Sequence, residues 1–364
     1  MSTSSSSNRS ETTPTWQTRL MPTTYTPWVK SMGYAVVIAN IVLIITGGIV
    51  RLTGSGLGCD TWPRCTTDGS WTTTPEAGIH GIVEFGNRML TFALIVVTIL
   101  TFLSVVRIAL PQVHKFSELL PKLFIGVRAR ESSYADLFNL TLLLLWGIPL
   151  QAVVGGVSVW QKLNPWMITA HFYLTAIMIA LAAIYLNRVL RYFEGTTQEA
   201  EDIKDSQIPQ GSTMMRSLAW VGTALVAFLV FMGTIVTGTG PHAGDPTAHR
   251  HPFDPWVVTR THSISVWLFC VVVILLFMAY RKYNWPRAIR TSLVFVLALL
   301  VYQGIVGYVQ FFNGLPIWLV ELHLLGSGFF IWTASSLLEK LFVFSSKSHR
   351  RRAAERIEYS ITKH

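Results

Sequence analysis

Eight apolar segments, each long enough to cross a lipid bilayer, constrain the fold of this chain more than any other feature. A helix needs about 20 residues to span the ~30 Å hydrocarbon core of a membrane. Only 13% of the residues are charged, against roughly 25% in soluble domains. The sequence therefore predicts an all-α integral membrane protein with eight transmembrane helices. The apolar runs lie at about 33–52, 82–107, 135–158, 164–190, 215–238, 257–280, 289–312 and 316–342.

The distribution of basic residues predicts the orientation of the chain. If both termini lie on the same side of the membrane, all but six of the 29 Lys and Arg residues lie on that side too. Because cytoplasmic loops are enriched in Lys and Arg, we expect a plasma-membrane protein with both termini in the cytoplasm and the Cys59–Cys65 loop outside it. The net charge of +10 then reflects topology, and the partner is the lipid bilayer rather than nucleic acid. The six exceptions are Arg51, Arg64, Arg88, Lys162, Arg250 and Arg260.

An internal repeat divides the chain into two halves. Residues 151–157, Gln-Ala-Val-Val-Gly-Gly-Val, recur as Gln-Gly-Ile-Val-Gly-Tyr-Val at 303–309, and the same offset of 152 carries His171 onto His323. Such self-similarity with four spans in each half predicts two pseudo-symmetric four-helix bundles in the same orientation. We expect a disordered cytoplasmic tail (1–30), a first half (31–192), a cytoplasmic linker (193–214), a second half (215–343) and a basic cytoplasmic tail (344–364).

Four ionisable side chains, Glu84, His171, His262 and His323, fall inside the predicted spans. Such residues are costly in a bilayer and are functional candidates for that reason. All four are expected in the outer third of the membrane. A pair of buried histidines on facing helices is the usual axial ligation of a b-type heme, although a single histidine is more often just hydrogen-bonded at the interface. We predict His262 and His323 as the ligands of heme b.

Two arginines near the same layer, Arg88 and Arg260, could hold heme propionates, or could equally contact lipid phosphate. In the first half Asn87 stands where the second half has His262, so one of four expected iron ligands is missing. His80 shares a helical face with Glu84 and Asn87 and is a possible replacement, although it lies about 10 Å further out at ~1.5 Å per residue. Glu84 is a candidate for proton transfer, or forms an ion pair with Arg88 at i+4.

Cys59 and Cys65 lie close together in the first outer loop, where an oxidising compartment favours a bond between them. We predict a structural or redox disulfide; a metal site is less favoured because no further ligand is near. Cys270 is interpreted as a packing residue. The histidines at 242, 249 and 251 predict a solvated polar loop more than a weak metal site.

Seven short motifs, in this order and spacing, resemble the bacterial heme A synthase family over nearly the full length of the chain. Each motif is modest on its own, but together they extend over all eight predicted helices. They are Gly47 through Cys59, Trp62-Pro63 with Cys65, Glu84 ahead of Arg88, Gln151 with Gly155, Ala170-His171-Phe172, Thr261-His262, and Glu321-Leu322-His323.

This resemblance implies oxidation of the C8 methyl of heme O to the formyl group of heme A, by two hydroxylations and loss of water. It also implies one heme site per half: heme b on His262 and His323, and the substrate heme O beside His171, with Glu84 as the essential carboxylate. The cysteine pair would assist heme transfer or electron relay. The heme O-forming prenyltransferase is the expected partner, the electron acceptor is not named, and a homo-oligomer is an option. Many members have histidine at the position of Asn87, so here the substrate iron would have one protein ligand.

Two other classes of membrane protein share parts of this pattern. A b-type cytochrome that exchanges electrons with quinone would carry similar histidine pairs, but would leave its heme unaltered. A transporter would explain the parallel repeat, but would bind no heme and would have helices broken at the membrane centre. Glu84 and the cysteine loop favour the synthase.

Overall fold

The chain folds as a bundle of long helices. The structure, a computed structural model, describes residues 19–113, 115–194, 198–204 and 209–363. In these ranges eight helices are long and apolar enough to cross a membrane, and no strand occurs, so the predicted all-α fold with eight spans is confirmed. The helices are α1 Pro27–Leu52, α2 Gly78–Ala109, α3 Ala135–Trp160, α4 Pro165–Phe193, α5 Ser212–Thr239, α6 Pro255–Tyr283, α7 Arg287–Phe312 and α8 Ile317–Phe344.

Several helices begin earlier than the apolar runs alone predict. Pro27 and Pro255 occupy the first helical turn of α1 and α6, where the missing N–H costs no hydrogen bond. The Asp254 side chain accepts hydrogen bonds from the next helical N–H groups, a standard N-cap. Within the predicted tail 1–30, residues 27–30 are helical, and residues 1–18 lie outside the described ranges.

Helix contacts follow the internal repeat. In the first half, α1 packs on α2, α2 on α3, α3 on α4 and α4 on α1. Helices α5 to α8 form a matching ring. Between the halves, α4 contacts α8, and the contacts of α1 with α8 and of α4 with α5 correspond to each other. This pattern is the one that a pseudo-twofold axis between α4 and α8 produces, and it agrees with the predicted pair of four-helix bundles.

The hairpins α3–α4 and α7–α8 also repeat in backbone conformation. Lys162 and Leu163 have φ of 50° and 59°, and their repeat mates Gly314 and Leu315 have φ of 74° and 59°. A left-handed pair of residues at matching positions gives both hairpins the same tight turn. The repeat thus extends to local geometry that sequence identity alone does not reveal.

Three further α-helices in the described ranges do not span the bundle. They are Phe116–Ile125, Gln198–Lys204 and Lys347–Lys363, and the second lies in the predicted linker, of which residues 195–197 and 205–208 are outside the described ranges. At their end of the molecule, opposite the disulfide loop, Arg191 is 1% exposed and forms an ion pair with Glu339. Asp136 forms ion pairs with Arg188 at 3.0 Å and with Arg356 at 2.8 Å. Buried charges are tolerated when paired in this way. The network joins α3, α4, α8 and the C-terminal helix.

Candidate functional site

The predicted ligand pair of the second half lies on diagonally opposed helices. His262 is on α6 and His323 on α8, and α6 and α8 are opposite each other in the ring of four helices. The Nδ1 atom of His262 lies 3.1 Å from the carbonyl oxygen of Leu229. A protonated Nδ1 that donates to a backbone carbonyl leaves Nε2 free to bind iron, which is the usual arrangement of a metal-ligating histidine.

Glycines on the neighbouring helices make room for these rings. A Cβ atom built on Gly233 would lie 3.3 Å from Cε1 of His262, and one on Gly307 would lie 3.4 Å from Cε1 of His323. His323 Nδ1 is buried and has no hydrogen-bond partner in the described part of the chain. Because Cε1 and Nδ1 of His323 are turned toward Gly307 of α7, Nε2 is the ring nitrogen that could bind iron in this cradle. The residues present therefore fit a bis-histidine heme.

A histidine ring lies against a glycine of the neighbouring helix in the first half as well. Cε1 of His171 on α4 is 3.0 Å from a Cβ built on Gly155 of α3. Nδ1 of His171, like that of His323, is buried and has no hydrogen-bond partner in the described part of the chain. Gly155 belongs to the repeat segment 151–157 and to a motif of the family resemblance, but the sequence did not mark it as a site residue. The signal was available, because Gly155–His171 and Gly307–His323 have the same spacing.

Gly307→Val is expected to displace the His323 ring and to lower the heme content of the second half by about tenfold or more, as loss of ligand orientation does at other metal sites. Gly304→Val on the same helix is the control, since a Cβ there meets no atom within 4 Å. Absorption spectra of the two purified variants, normalised to protein, measure the effect. Equal heme content in both would show that the Gly307 cradle does not position the ligand.

Glu84, the carboxylate of the first half, is 5% exposed and held from two sides. Its Oε2 accepts the backbone N–H of Cys59 at 2.6 Å, and its Oε1 accepts Arg88 Nη2 at 2.5 Å. The guanidinium of Arg88 also donates to the carbonyl oxygens of Thr61 and Arg64, at 3.1 and 3.3 Å. The ion pair with Arg88 is therefore present, and Glu84 anchors the cysteine loop to α2.

The loop from α1 to α2 covers this end of the first half. Cys59 and Cys65 form the predicted disulfide and are 0% and 1% exposed. The Trp62 ring packs on Gly156 of α3, where a Cβ would collide with it, and the Trp62 carbonyl accepts the indole N–H of Trp160 at 2.9 Å. The disulfide thus closes a loop that rests on α2 and α3 and donates a backbone N–H to Glu84.

The two alternative ligands of the first half are differently placed. The Asn87 side-chain oxygen accepts the hydroxyl of Thr46 on α1 at 2.7 Å. His80 is exposed, and its Nδ1 lies 2.9 Å from the Ser55 hydroxyl in the disulfide loop. Asn87 is therefore committed to a contact between helices, whereas the Nε2 of His80 stays available at the edge of the site.

The arginines predicted to hold propionates have local partners. Arg88 is committed to Glu84 and the disulfide loop, as described above. The guanidinium of Arg260 stacks over the Trp256 ring at 4.1 Å, a cation–π contact that leaves its N–H groups free at the rim. Propionate binding remains a prediction for both arginines, and Arg260 has fewer protein contacts than Arg88 that would compete with a propionate.

Two charged residues at the seam between the halves escaped sequence analysis as site candidates. Arg51, in the last turn of α1, donates to the carbonyl oxygens of Thr237 and His242, both at 2.9 Å. Glu321 on α8 lies against Gly48 of α1, and in the described part of the chain neither carboxylate oxygen has a hydrogen-bond partner. The sequence did contain a signal for each residue: Arg51 is an arginine at the end of the first apolar run, and Glu321 belongs to the Glu-Leu-His motif.

The loop from α5 to α6 is packed rather than solvated at one point. His251 is 4% exposed, lies 3.3 Å from the Thr169 hydroxyl and meets the Trp166 ring edge-on at 4.5 Å. Burial and the charge of Arg51 lower the pKa of His251. The interpretation of this loop as solvated is therefore wrong at His251, whose ring is buried against Thr169 and Trp166. In the described ranges no group of three or more His, Cys, Asp or Glu could hold a metal ion.

Comparison with known proteins bears on this arrangement. The model of a family described as cytochrome oxidase assembly protein matches residues 30–335, a range that covers α2 to α7 entirely, most of α1 and α8, and every candidate residue named above. The chain is similar to a heme A synthase of Bacillus pumilus, at 26% identity over 286 residues, covering 76% of this chain and 83% of that protein. The chain belongs to the heme A synthase family.

Further heme A synthases match at similar distance. One from Staphylococcus epidermidis is 22% identical over 308 residues, covering 82% of this chain and 90% of its own length. Another from Bacillus licheniformis is 22% identical over 306 residues, with 81% and 90% covered. Membership of the heme A synthase family therefore rests on nearly full-length matches.

Proposed function

We propose that this protein is a heme A synthase, which oxidises the C8 methyl of heme O to a formyl group through successive hydroxylations and loss of water. The observation that carries the proposal is the asymmetry of the two halves. Where α6 has His262, α2 has Asn87, and where α2 has Glu84, the matching residue of α6 is Thr259. A proton-accepting carboxylate beside a single histidine suits a site for chemistry, and a histidine pair suits a resident cofactor.

The second half supplies the resident group. His262 and His323 would hold heme b, with the Leu229 carbonyl orienting the first ring and Gly307 admitting the second. When bound, this heme supplies a one-electron Fe(III)/Fe(II) couple, the ordinary chemistry of bis-histidine sites. Arg260, stacked on Trp256, is placed to meet a propionate at the rim.

The first half is the proposed substrate site. His171 would bind the substrate heme through Nε2, and His80 is the second candidate at the edge. Each hydroxylation would convert R–CH3 and one water to R–CH2OH with loss of two electrons and two protons; the electrons would pass to the electron acceptor, and Glu84 is the base that would accept one of the protons. The Cys59 N–H and Arg88 fix the carboxylate, so that it does not need to reorganise during the reaction.

The membrane setting follows from the same proposal. Both termini are assigned to the cytoplasm, and the disulfide loop to the opposite side, because all but six of the 29 Lys and Arg residues would lie on the side of the membrane that holds the termini. A prenylated heme partitions into lipid, so the substrate reaches the first half from the bilayer. The heme O-forming prenyltransferase is the proposed donor, and a membrane electron carrier is the proposed acceptor.

Identification of the pigments carried by the purified protein tests this assignment. Extraction with acidified solvent, followed by chromatography and mass measurement, is expected to give heme b together with heme O, hydroxylated heme O or heme A. Heme b alone would indicate a b-type cytochrome instead, and the absence of any heme would contradict both.

A further inference from the structure

A glutamine on α7 forms a hydrogen bond with the backbone of a candidate iron ligand. The Nε2 group of Gln303 donates to the carbonyl oxygen of His323 on α8, at 3.1 Å. A backbone carbonyl oxygen has two lone pairs, so it can accept this bond in addition to one within its own helix. Gln303 therefore joins α7 to α8 at the candidate ligand itself.

A second hydrogen bond joins the same two helices one residue earlier. The hydroxyl of Tyr302 donates to the carbonyl oxygen of Leu322 at 3.0 Å, so two successive side chains of α7 bind two successive carbonyl groups of α8. The Tyr302 ring also covers Gly326, where a Cβ atom would collide with it. In a bilayer, such hydrogen bonds and close contacts at small residues hold helices together. The height and rotation of α8 relative to α7 are thus fixed beside His323.

The first half makes the same connection through one additional side chain. With the offset of 152, Gln303 corresponds to Gln151 on α3. The Nε2 group of Gln151 donates to the hydroxyl of Thr175 on α4 at 2.7 Å, and that hydroxyl donates to the carbonyl oxygen of His171 at 3.1 Å. A hydroxyl group can accept one hydrogen bond and donate another, so the path from glutamine to histidine is continuous.

The residue of the second half that corresponds to Thr175 is Ser327, and it takes no part in this connection. Its hydroxyl donates to the carbonyl oxygen of Leu324 at 2.7 Å, within its own helix. The carbonyl oxygen of His323 is thereby left to Gln303. Both halves thus keep a connection from the glutamine to the histidine backbone, although different groups make it.

The two glutamines have a feature that helix association alone does not explain. In the described part of the chain, the Oε1 atoms of Gln151 and Gln303 are buried and accept no hydrogen bond. A buried acceptor without a partner is destabilising, whereas leucine or methionine at either position would fill the space without one. Local features that reduce stability are expected at functional sites. A polar side chain at both positions therefore indicates a role other than stability.

We propose that these glutamines are positioning residues for the two iron ligands. Gln303, supported by Tyr302, sets the direction in which His323 presents Nε2 to iron. Gln151 does the same for His171 through the hydroxyl of Thr175. The inference rests on the proposed function, in which heme b occupies the second half and heme O the first. Partners that orient a metal ligand affect its affinity for the metal as well as its geometry.

Gln303→Met tests the second half, because methionine is of similar length but donates no hydrogen bond. The purified variant is expected to carry about tenfold less heme b per protein, the lower end of the range for loss of a ligand's orienting partner. In the heme b that stays bound, the largest g value of the low-spin EPR signal should shift, because it depends on the relative orientation of the two imidazole planes. Gln151→Met, which removes the corresponding donor in the other half, is the control and should keep the wild-type signal.

Thr175→Ala tests the connection in the first half. It is expected to weaken binding of added heme O by about tenfold in an optical titration, whereas Thr175→Ser, which keeps the hydroxyl, should stay within about twofold of wild type. Ser327→Ala is the matched control, because the hydroxyl that it removes bonds only within α8. Its heme b content and g values should equal those of the wild type.

A merely structural role predicts different results. Gln303→Met that unfolds at a lower temperature, but whose bound heme b keeps the wild-type g values, would overturn the proposal for the second half. Thr175→Ala that binds heme O as tightly as the wild type does would overturn it for the first. If Gln303→Met does not fold, Tyr302→Phe removes only the hydroxyl that donates to Leu322; a shifted g value is expected there too, and an unshifted one would equally overturn the proposal.

These outcomes are separable from those of the proposed function. Wild-type protein that oxidises heme O, with wild-type g values in Gln303→Met and wild-type heme O binding in Thr175→Ala, overturns the positioning role and leaves the function. Wild-type protein that contains heme b and binds heme O without oxidising it, with the expected changes in both variants, overturns the function and leaves the positioning role.

Discussion

Replacement of Glu84 by glutamine is expected to lower heme A formation by at least about 10²-fold, the usual contribution of a positioned acid or base. Glutamine keeps an oxygen that can accept the Cys59 N–H, now received at 2.6 Å, but it cannot take up a proton. Arg88 retains the carbonyl oxygens of Thr61 and Arg64, which limits the structural damage. The heme b of the second half should remain, because none of these residues belongs to it.

The matched control breaks an ion pair of the same kind at the other end of the bundle. Glu339→Gln removes a carboxylate that pairs with Arg191 and is 7% exposed, against 5% for Glu84. Loss of one partner of a buried pair costs about 3–5 kcal/mol, so this variant should be less stable but fully active per folded molecule. Activity of Glu84→Gln in proportion to its folded fraction would reduce Glu84 to a structural role.

The second large effect is expected from substitution of His171 and His323, which occupy matching positions in the repeat and would each hold a different heme. His323→Ala is expected to abolish the low-spin heme b spectrum, because it removes a ligand that no neighbouring side chain replaces in the described structure, where Gly307 faces the ring directly. His171→Ala should leave that spectrum intact and abolish binding of added heme O. The loss of affinity should exceed the roughly 10–100-fold seen when only a ligand's orienting partner is removed.

Each histidine variant serves as the control for the other, since both remove a buried ring that lies against a glycine. Optical titration with heme O and the spectrum of the purified protein give the two readouts. If His171→Ala lost heme b, or if both variants retained it, the assignment of one heme to each half would be wrong.

The sequence predicts the eight spans and their pairing because the apolar runs and the repeat are long-range patterns. It misplaces the start of α1, since Pro27 begins a helix that apolar content alone would start at about residue 33. The hairpin turns at Leu163 and Leu315 could not be anticipated, because leucine rarely adopts a left-handed backbone. Their conformation is imposed by the packing of the paired helices.

The candidate site is predictable in its residues but not in its contacts. Glu84, Arg88 and the cysteine pair are recognisable from the sequence, yet the N–H that Cys59 donates to Glu84 depends on how a loop folds back over α2.

The most direct test supplies purified protein with heme O and an electron acceptor, and follows the mass of the extracted porphyrin. The account predicts a hydroxylated intermediate and then a product in which one oxygen replaces two hydrogens at C8, formed by wild-type protein and not by Glu84→Gln. Heme O that is bound and recovered unchanged, with heme b still cycling between its oxidation states, would contradict the account and indicate an electron-transfer cytochrome.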